Sequence, residues 1–168
     1  MRVLIMAAQG VEDMEFYYPY YRFQEAGMEV DVAGLSPGSV TGKHGYTVKV
    51  TVSADRVTPD DYGLLFLPGG KAPEILRLQP EVISLVKHFS SAGKIICAIC
   101  HGAQILISAD ALAGKKATCV KSIRDDIIAA GADYADQPVV VDGRLITSRV
   151  PDDLPQLMRE TFKAAQSS

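Results

Sequence analysis

Uninterrupted apolar runs at residues 3–8 and 64–67, and after Lys94 through residue 99, constrain this chain more than any other feature. A strand with one wet face alternates polar and apolar residues. A run that is apolar at every position is buried on both faces, as in a parallel sheet covered by helices. Segments of helical character lie between these runs. Residues 13–26 read as a helix stopped by Gly27, with Pro19 bending it from inside, and residues 74–78 and 81–92 read as two more, separated by Pro80 and stopped by Gly93. Residues 29–33 form a second strand, 40–52 a glycine-containing strand pair, and 101–109 a helix behind the strand at 94–99. The pattern continues through 117–120, 123–130, 139–142 and 145–148, with a tight turn at Asp142-Gly143 and a last helix capped by Asp152 or Asp153. Helix position 13 likewise reads as a cap, supplied by Asp13. The expected fold is one α/β domain over residues 1–168, a mostly parallel sheet with helices on both faces.

Composition excludes several classes of function. The net charge of −3 leaves no basic footprint for nucleic acid. No stretch approaches the roughly 20 apolar residues that span a bilayer, and residues 3–8 suit a buried first strand better than a signal peptide. Three cysteines make no disulfide framework, so a reducing cytoplasm is the expected location.

In such folds, ligands bind beyond the carboxyl ends of the strands, and two segments there carry chemistry. In the first, the strand ending at Ile99 runs into Cys100-His101-Gly102 and then a helix. This is the context of a nucleophile elbow, although Ala98 stands where the serine-hydrolase pattern has its first glycine. A sulfur at a helix start is favoured as thiolate, the reactive form. Cys97-Ala98-Ile99-Cys100 also fits a C-x-x-C pattern, but an extended strand separates the two Cα atoms by about 10 Å, and a disulfide needs less than roughly 7 Å. Zinc would need further ligands that no suitably spaced pair supplies, so no metal is expected and Cys97 reads as core. The second segment is Leu67-Pro68-Gly69-Gly70, whose glycines let backbone N–H groups turn toward an oxyanion.

Helpers for the thiol are fewer. His101 adjoins Cys100 and reaches the same cleft, whereas His88 belongs on a solvated helix face and His44 in a glycine-flanked turn or subunit contact. Glu12 follows the first strand at the same sheet edge. A protonated Glu12 donating to the Cys100 sulfur would hold the thiolate; a solvated acid at a helix start is the other reading.

Taken together, Val11-Glu12-Asp13-Met14-Glu15, Thr41-Gly42-Lys43-His44-Gly45, Leu67-Pro68-Gly69-Gly70, Ala98-Ile99-Cys100-His101-Gly102 and Thr147-Ser148-Arg149-Val150-Pro151 resemble the PfpI-like intracellular cysteine peptidases and protein deglycases, over nearly the whole chain. These belong to the superfamily with a class I glutamine amidotransferase-like fold. The resemblance implies a flavodoxin-like three-layer sandwich, Cys100 as nucleophile, Glu12 as its hydrogen-bonding acid, and oxyanion donors at the backbone N–H of Gly70 and His101. It also implies Glu74 of a neighbouring subunit orienting His101, in dimers that assemble into hexamers. No cofactor is implied. Where close relatives carry a tyrosine beside the site, this chain has Cys119-Val120.

The expected function is therefore a cofactor-free cysteine hydrolase acting on peptides or on dicarbonyl adducts of side chains, with free methylglyoxal handled similarly in the manner of a glyoxalase. A non-catalytic redox sensor or chaperone built on the same oxidisable cysteine is the alternative. His101 separates the two, since a pure sensor has little need of it.

Overall fold

The structure, a computed structural model, describes residues 1–167. In chain order its elements are β1 (Arg2–Met6), α1 (Asp13–Glu25), β2 (Glu29–Gly34), β3 (Gly38–Thr41), β4 (Thr47–Val50), β5 (Val52–Ser53) and β6 (Leu64–Leu67). Then come α2 (Ala72–Leu76), α3 (Pro80–Ser91), β7 (Ile95–Ile99), α4 (Ala103–Ser108), β8 (Lys116–Ala117) and α5 (Arg124–Ala129). The chain closes with β9 (Asp133–Tyr134), β10 (Val139–Asp142), β11 (Leu145–Ser148) and α6 (Leu154–Gln166).

Seven strands form the central sheet in the order β10-β11-β7-β6-β1-β2-β5. Every neighbouring pair is parallel except β10 with β11, the pair joined by the Asp142-Gly143 turn. The continuous apolar runs lie at its centre, with β6 and β7 buried at every residue. Helices α1 and α6 pack together on the sheet, and α2, α3 and α4 pack on one another in a second group. This is the mostly parallel, helix-covered α/β sandwich expected. β3 and β4 form a separate antiparallel hairpin that overlaps the span 40–52 read as a strand pair and begins two residues before it.

Chain order reverses at β1, which has β2 on one side and β6 on the other. Such a switch point opens a crevice past the strand ends. The register aligns Ile5 with Phe66 and Leu67 with Ala98, so the segments leaving β1, β6 and β7 emerge at one edge. Backbone bonds tie them together there: Glu12 donates to the Gly69 carbonyl (3.2 Å), Lys71 to that of Gly10 (2.9 Å) and Lys43, from the hairpin turn, to that of Val11 (2.8 Å).

Three local expectations differ. The helix read at 101–109 is a single 3-10 turn, Cys100–Gly102, followed by the six residues of α4. The strand read at 117–120 shrinks to β8, which pairs with β9 outside the main sheet. Asp153 occupies the cap position of α6 but makes no capping bond; its carboxylate instead takes two bonds from Arg149 (2.9 and 3.2 Å).

Candidate active site

Cys100 sits where β7 breaks into the 3-10 turn, with φ of +58°, the left-handed region that a side-chain-bearing residue rarely occupies. A strained residue held by its surroundings at a strand end is the backbone geometry of an elbow. Gly102 lets the turn pack against β6, since a Cβ there would lie 2.2 Å from the Leu67 carbonyl oxygen. The half-buried sulfur lies 3.4 Å from His101 Nδ1 and receives the backbone N–H groups of His101 and Gly70. Gly70 reaches this position with φ of +76°, and its missing Cβ leaves room for the Gly10 carbonyl.

The acid at the sulfur is Glu15, and the expectation that placed Glu12 there is corrected. Glu12 is the N-cap of α1: its Oε2 accepts the Glu15 N–H (3.0 Å), and its Oε1 lies 3.1 Å from His44 Nε2. Asp13, the expected cap, is one residue inside the helix, where its carboxylate accepts the backbone N–H groups of His44 (2.7 Å) and Tyr46 (3.1 Å). Both acids thus fasten the β3–β4 turn to α1. Glu15, one helical turn beyond Glu12, points inward and is fully buried. Its Oε2 accepts the Gly69 N–H at 2.7 Å, its carboxyl group bonds to the Cys100 thiol, and its Oε1 is buried without a nitrogen or oxygen partner. The signal for this assignment lay in helical periodicity. Glu15 shares its helix face with Pro19 four residues on, and both are buried.

Burial governs the electrostatics. It raises the Glu15 carboxyl to about 7, against the Gly69 bond, with the Glu12 charge adding to the rise. It also raises the Cys100 thiol to about 12, with the Glu15 charge as the next cause; the N–H groups of His101 and Gly70 act the other way. The expectation of a thiol lowered by a helix start is thus corrected, because the turn is too short to outweigh burial and a neighbouring carboxylate. Two adjacent negative charges are disfavoured in such a site, so the pair retains one proton at neutral pH.

His101 is partly buried, and burial pushes its imidazole below the ordinary 6.5; Glu74 raises it and Lys43 lowers it. Glu74 is exposed and lines an open cleft with Gln9, Lys43 and Lys71. Within one chain it makes no hydrogen bond to His101; the ring's other nitrogen, Nε2, lies 3.4 Å from the Ser122 hydroxyl. Ser122 has no motif around it that would have marked it in the sequence.

The remaining candidates resolve simply. Cys97 is buried under α6, its sulfur 3.2 Å from Thr161 Oγ1, as core packing requires. Cys119 is buried, and burial pushes its thiol up to about 12. His88 pairs with Asp60 at 2.8 Å on the surface. Among the described residues, the metal-type side chains whose ligand atoms gather within 4.8 Å are Glu12, Asp13 and His44, all already engaged in tying the hairpin to the helix. No described helix is long and apolar enough to cross a membrane.

Comparison with known proteins is consistent with this geometry. The family model described as the DJ-1/PfpI family matches residues 1–164. "Deglycase TK1284" of Thermococcus kodakarensis is 50% identical over 163 residues, covering 97% of this chain and 98% of that protein. "Putative cysteine protease YraA" of Bacillus subtilis is 40% identical, covering 96% of each. Among solved structures, a two-domain protein from Anabaena variabilis with dj-1/thij/pfpi-like and ferritin-like domains superposes with a TM-score of 0.96 at 36% identity, over 98% of this chain and 48% of that longer one. Schizosaccharomyces pombe DJ-1 superposes with a TM-score of 0.88 at 26% identity, over 97% of this chain and 90% of that one. With the sheet order, the elbow and these matches in agreement, the chain belongs to the DJ-1/PfpI family.

Proposed function

We propose that this chain is a cofactor-free, cysteine-dependent hydrolase that removes dicarbonyl adducts from protein side chains, with Cys100 as nucleophile. One observation carries the reading: Glu15, the His101 ring and two backbone N–H donors all converge on the Cys100 sulfur at a strained strand end. The relatives named deglycase and cysteine protease support a hydrolytic role.

The reacting form carries the shared proton on Glu15, leaving Cys100 as thiolate while the pair keeps its single negative charge. The thiolate attacks the carbinol carbon of a methylglyoxal adduct on arginine, lysine or cysteine. An S–C bond forms, the bond from that carbon to the side chain breaks, and the repaired side chain leaves with the Glu15 proton, so that Cys100 holds a hemithioacetal beside the ketone. His101 Nδ1, beside the sulfur, then takes the proton from the hemithioacetal carbon and returns it to the former ketone carbon. The charge on the intervening enediolate oxygen faces the N–H groups of Gly70 and His101, and the product is a lactoyl thioester. Water cleaves the remaining thioester, releasing lactate and regenerating the thiol. Peptide hydrolysis would use the same atoms, with an amine as the leaving group.

The proposal extends to assembly and location. Self-association of this chain would bring Glu74 of a neighbouring copy to the cleft, where its charge favours the imidazolium of His101, as the charge of Glu74 already does within one chain. Three free cysteines suit a reducing cytoplasm.

Wild type, Cys100→Ala and His101→Ala are compared for lactate release from methylglyoxal-treated peptide and for cleavage of a fluorogenic peptide. Loss of lactate release in both variants is expected. A Cys100→Ala variant matching wild type in both assays would end the hydrolase reading and favour a sensor or chaperone.

A further inference from the structure

Two lysines stand beside the site without partners. Lys43 and Lys71 are both exposed, and among the described residues neither side chain makes an ion pair or a hydrogen bond. Their backbones are pinned to consecutive residues on the segment leaving β1, Lys71 to the Gly10 carbonyl and Lys43 to that of Val11. Gly10 adopts φ of +77°, and a Cβ on it would lie 3.0 Å from Lys71 Cβ, so its missing side chain leaves room for the lysine stem. With Gln9, Glu74 and Ile75 the two lysines line the open cleft, a space of about 520 Å3. The cleft adjoins the chemistry: Lys71 follows Gly70, whose N–H faces the Cys100 sulfur, and the Lys43 charge acts on both Glu15 and His101.

We propose that this cleft is a substrate subsite in which Lys43 and Lys71 hold an acidic side chain flanking the modified residue, so that adducts in acidic stretches of a protein are repaired in preference to others. This rests on the reading of the chain as a Cys100 hydrolase. A methylglyoxal adduct carries no anion of its own, so a partner for the two ammonium groups comes from the polypeptide around it. The chain as a whole is acidic, with a net charge of −3, and the paired cations are a local exception at the mouth of the site. A carboxylate between them is attracted by both, whereas a basic neighbour of the adduct is repelled.

Glu74 is the one acid among the described residues that line the cleft. In the assembly proposed above, the carboxylate arriving from a neighbouring copy serves the imidazolium of His101, which leaves the two lysines to the substrate. The lysines come from separate segments, the turn between β3 and β4 and the exit of β6. Asp13 fastens the first of these by accepting the backbone N–H groups of His44 and Tyr46, so the Lys43 backbone is held on both sides.

The test uses two peptides that carry one methylglyoxal-modified arginine and differ only in its neighbours, aspartate in one and asparagine in the other. Each protein is scored by the ratio of kcat/KM for lactate release from the two, which cancels any general effect of a substitution on the site. Wild type is expected to favour the aspartate peptide about three- to tenfold, chiefly through KM, and the preference should shrink as added salt screens the lysines. It should vanish in the Lys43→Gln, Lys71→Gln double variant and reverse in the Lys43→Glu, Lys71→Glu one. A wild-type protein with no preference for aspartate overturns the proposal, as does a preference that survives the double glutamine variant. Binding of the same peptides to Cys100→Ala, read by fluorescence anisotropy, needs no turnover: the aspartate peptide should bind more tightly, and equal affinities overturn the proposal. Full lactate release by Cys100→Ala would instead end the hydrolase reading, so the two failures are distinguishable.

Discussion

Replacing Glu15 by glutamine tests the electrostatics of the site through stability alone. Glutamine keeps the acceptor for the Gly69 N–H, which lies 2.7 Å from Oε2, and removes the ionisation; its amide NH2 replaces the unpartnered Oε1, a cost that does not vary with pH. Burial raises the carboxyl from the ordinary 4.5 to about 7, so the folded chain holds this proton more tightly than the unfolded chain does. The associated stability is fully present below the unfolded value and is lost as pH rises through 7. Each tenfold step in proton concentration is worth about 1.4 kcal/mol, and the rise gives about 2–3 kcal/mol lost between pH 5 and pH 8. Cys100 adds no slope in this window, because its thiol is raised from 9.0 to about 12. Denaturant unfolding at several pH values measures the effect as the difference between the two proteins, which cancels every other titrating group. The variant should gain about 2–3 kcal/mol on wild type between pH 5 and pH 8. Parallel stability profiles would refute a buried, proton-holding Glu15.

Three further outcomes follow from the packing. Gly102→Ala drives a Cβ to 2.2 Å from the Leu67 carbonyl oxygen, so unfolding titrations should show a loss of about 1–3 kcal/mol, with turnover falling as the end of β6 shifts. Asp13→Ala removes the acceptor of two backbone N–H bonds, and faster hydrogen exchange at His44 and Tyr46 should accompany a loss of about 2–4 kcal/mol. Cys97→Ala leaves a small void beneath α6 and should cost about 1 kcal/mol in a denaturant titration while lactate release stays at the wild-type rate.

What the sequence made legible follows the strength of its periodic signals. The apolar runs of β6 and β7 could be read to within a residue because strands buried on both faces leave no room for a polar position, whereas β1 begins on Arg2 and ends at Met6, two residues before its apolar run does. The region around β8 and β9 was less legible, since two-residue strands outside the main sheet carry no such pattern. At the site, a strand followed by Cys100, His101 and Gly102 marked the elbow. The acid was misplaced by one helical turn because a carboxylate at a helix start reads equally as cap or as catalyst. Glu12 takes the cap, and only the burial of α1's inner face reveals that Glu15 points at the sulfur. The lowered thiol was misjudged for a related reason, as burial depends on three-dimensional packing that a helix-start argument omits. Ser122 could not be found at all, because its link to His101 spans 21 residues and passes through a turn with no motif.

The pairing of Cys100 with Glu15 is tested most directly by kcat/KM for lactate release from methylglyoxal-treated peptide in Glu15→Gln and Glu12→Gln, measured side by side. Removing the group that exchanges the reacting proton should lower kcat/KM by about 10²–10⁴-fold in Glu15→Gln. Glu12→Gln should stay within about threefold of wild type, because Glu12 serves the helix cap and His44. The reverse order, with Glu12→Gln inactive and Glu15→Gln near wild type, would contradict the account.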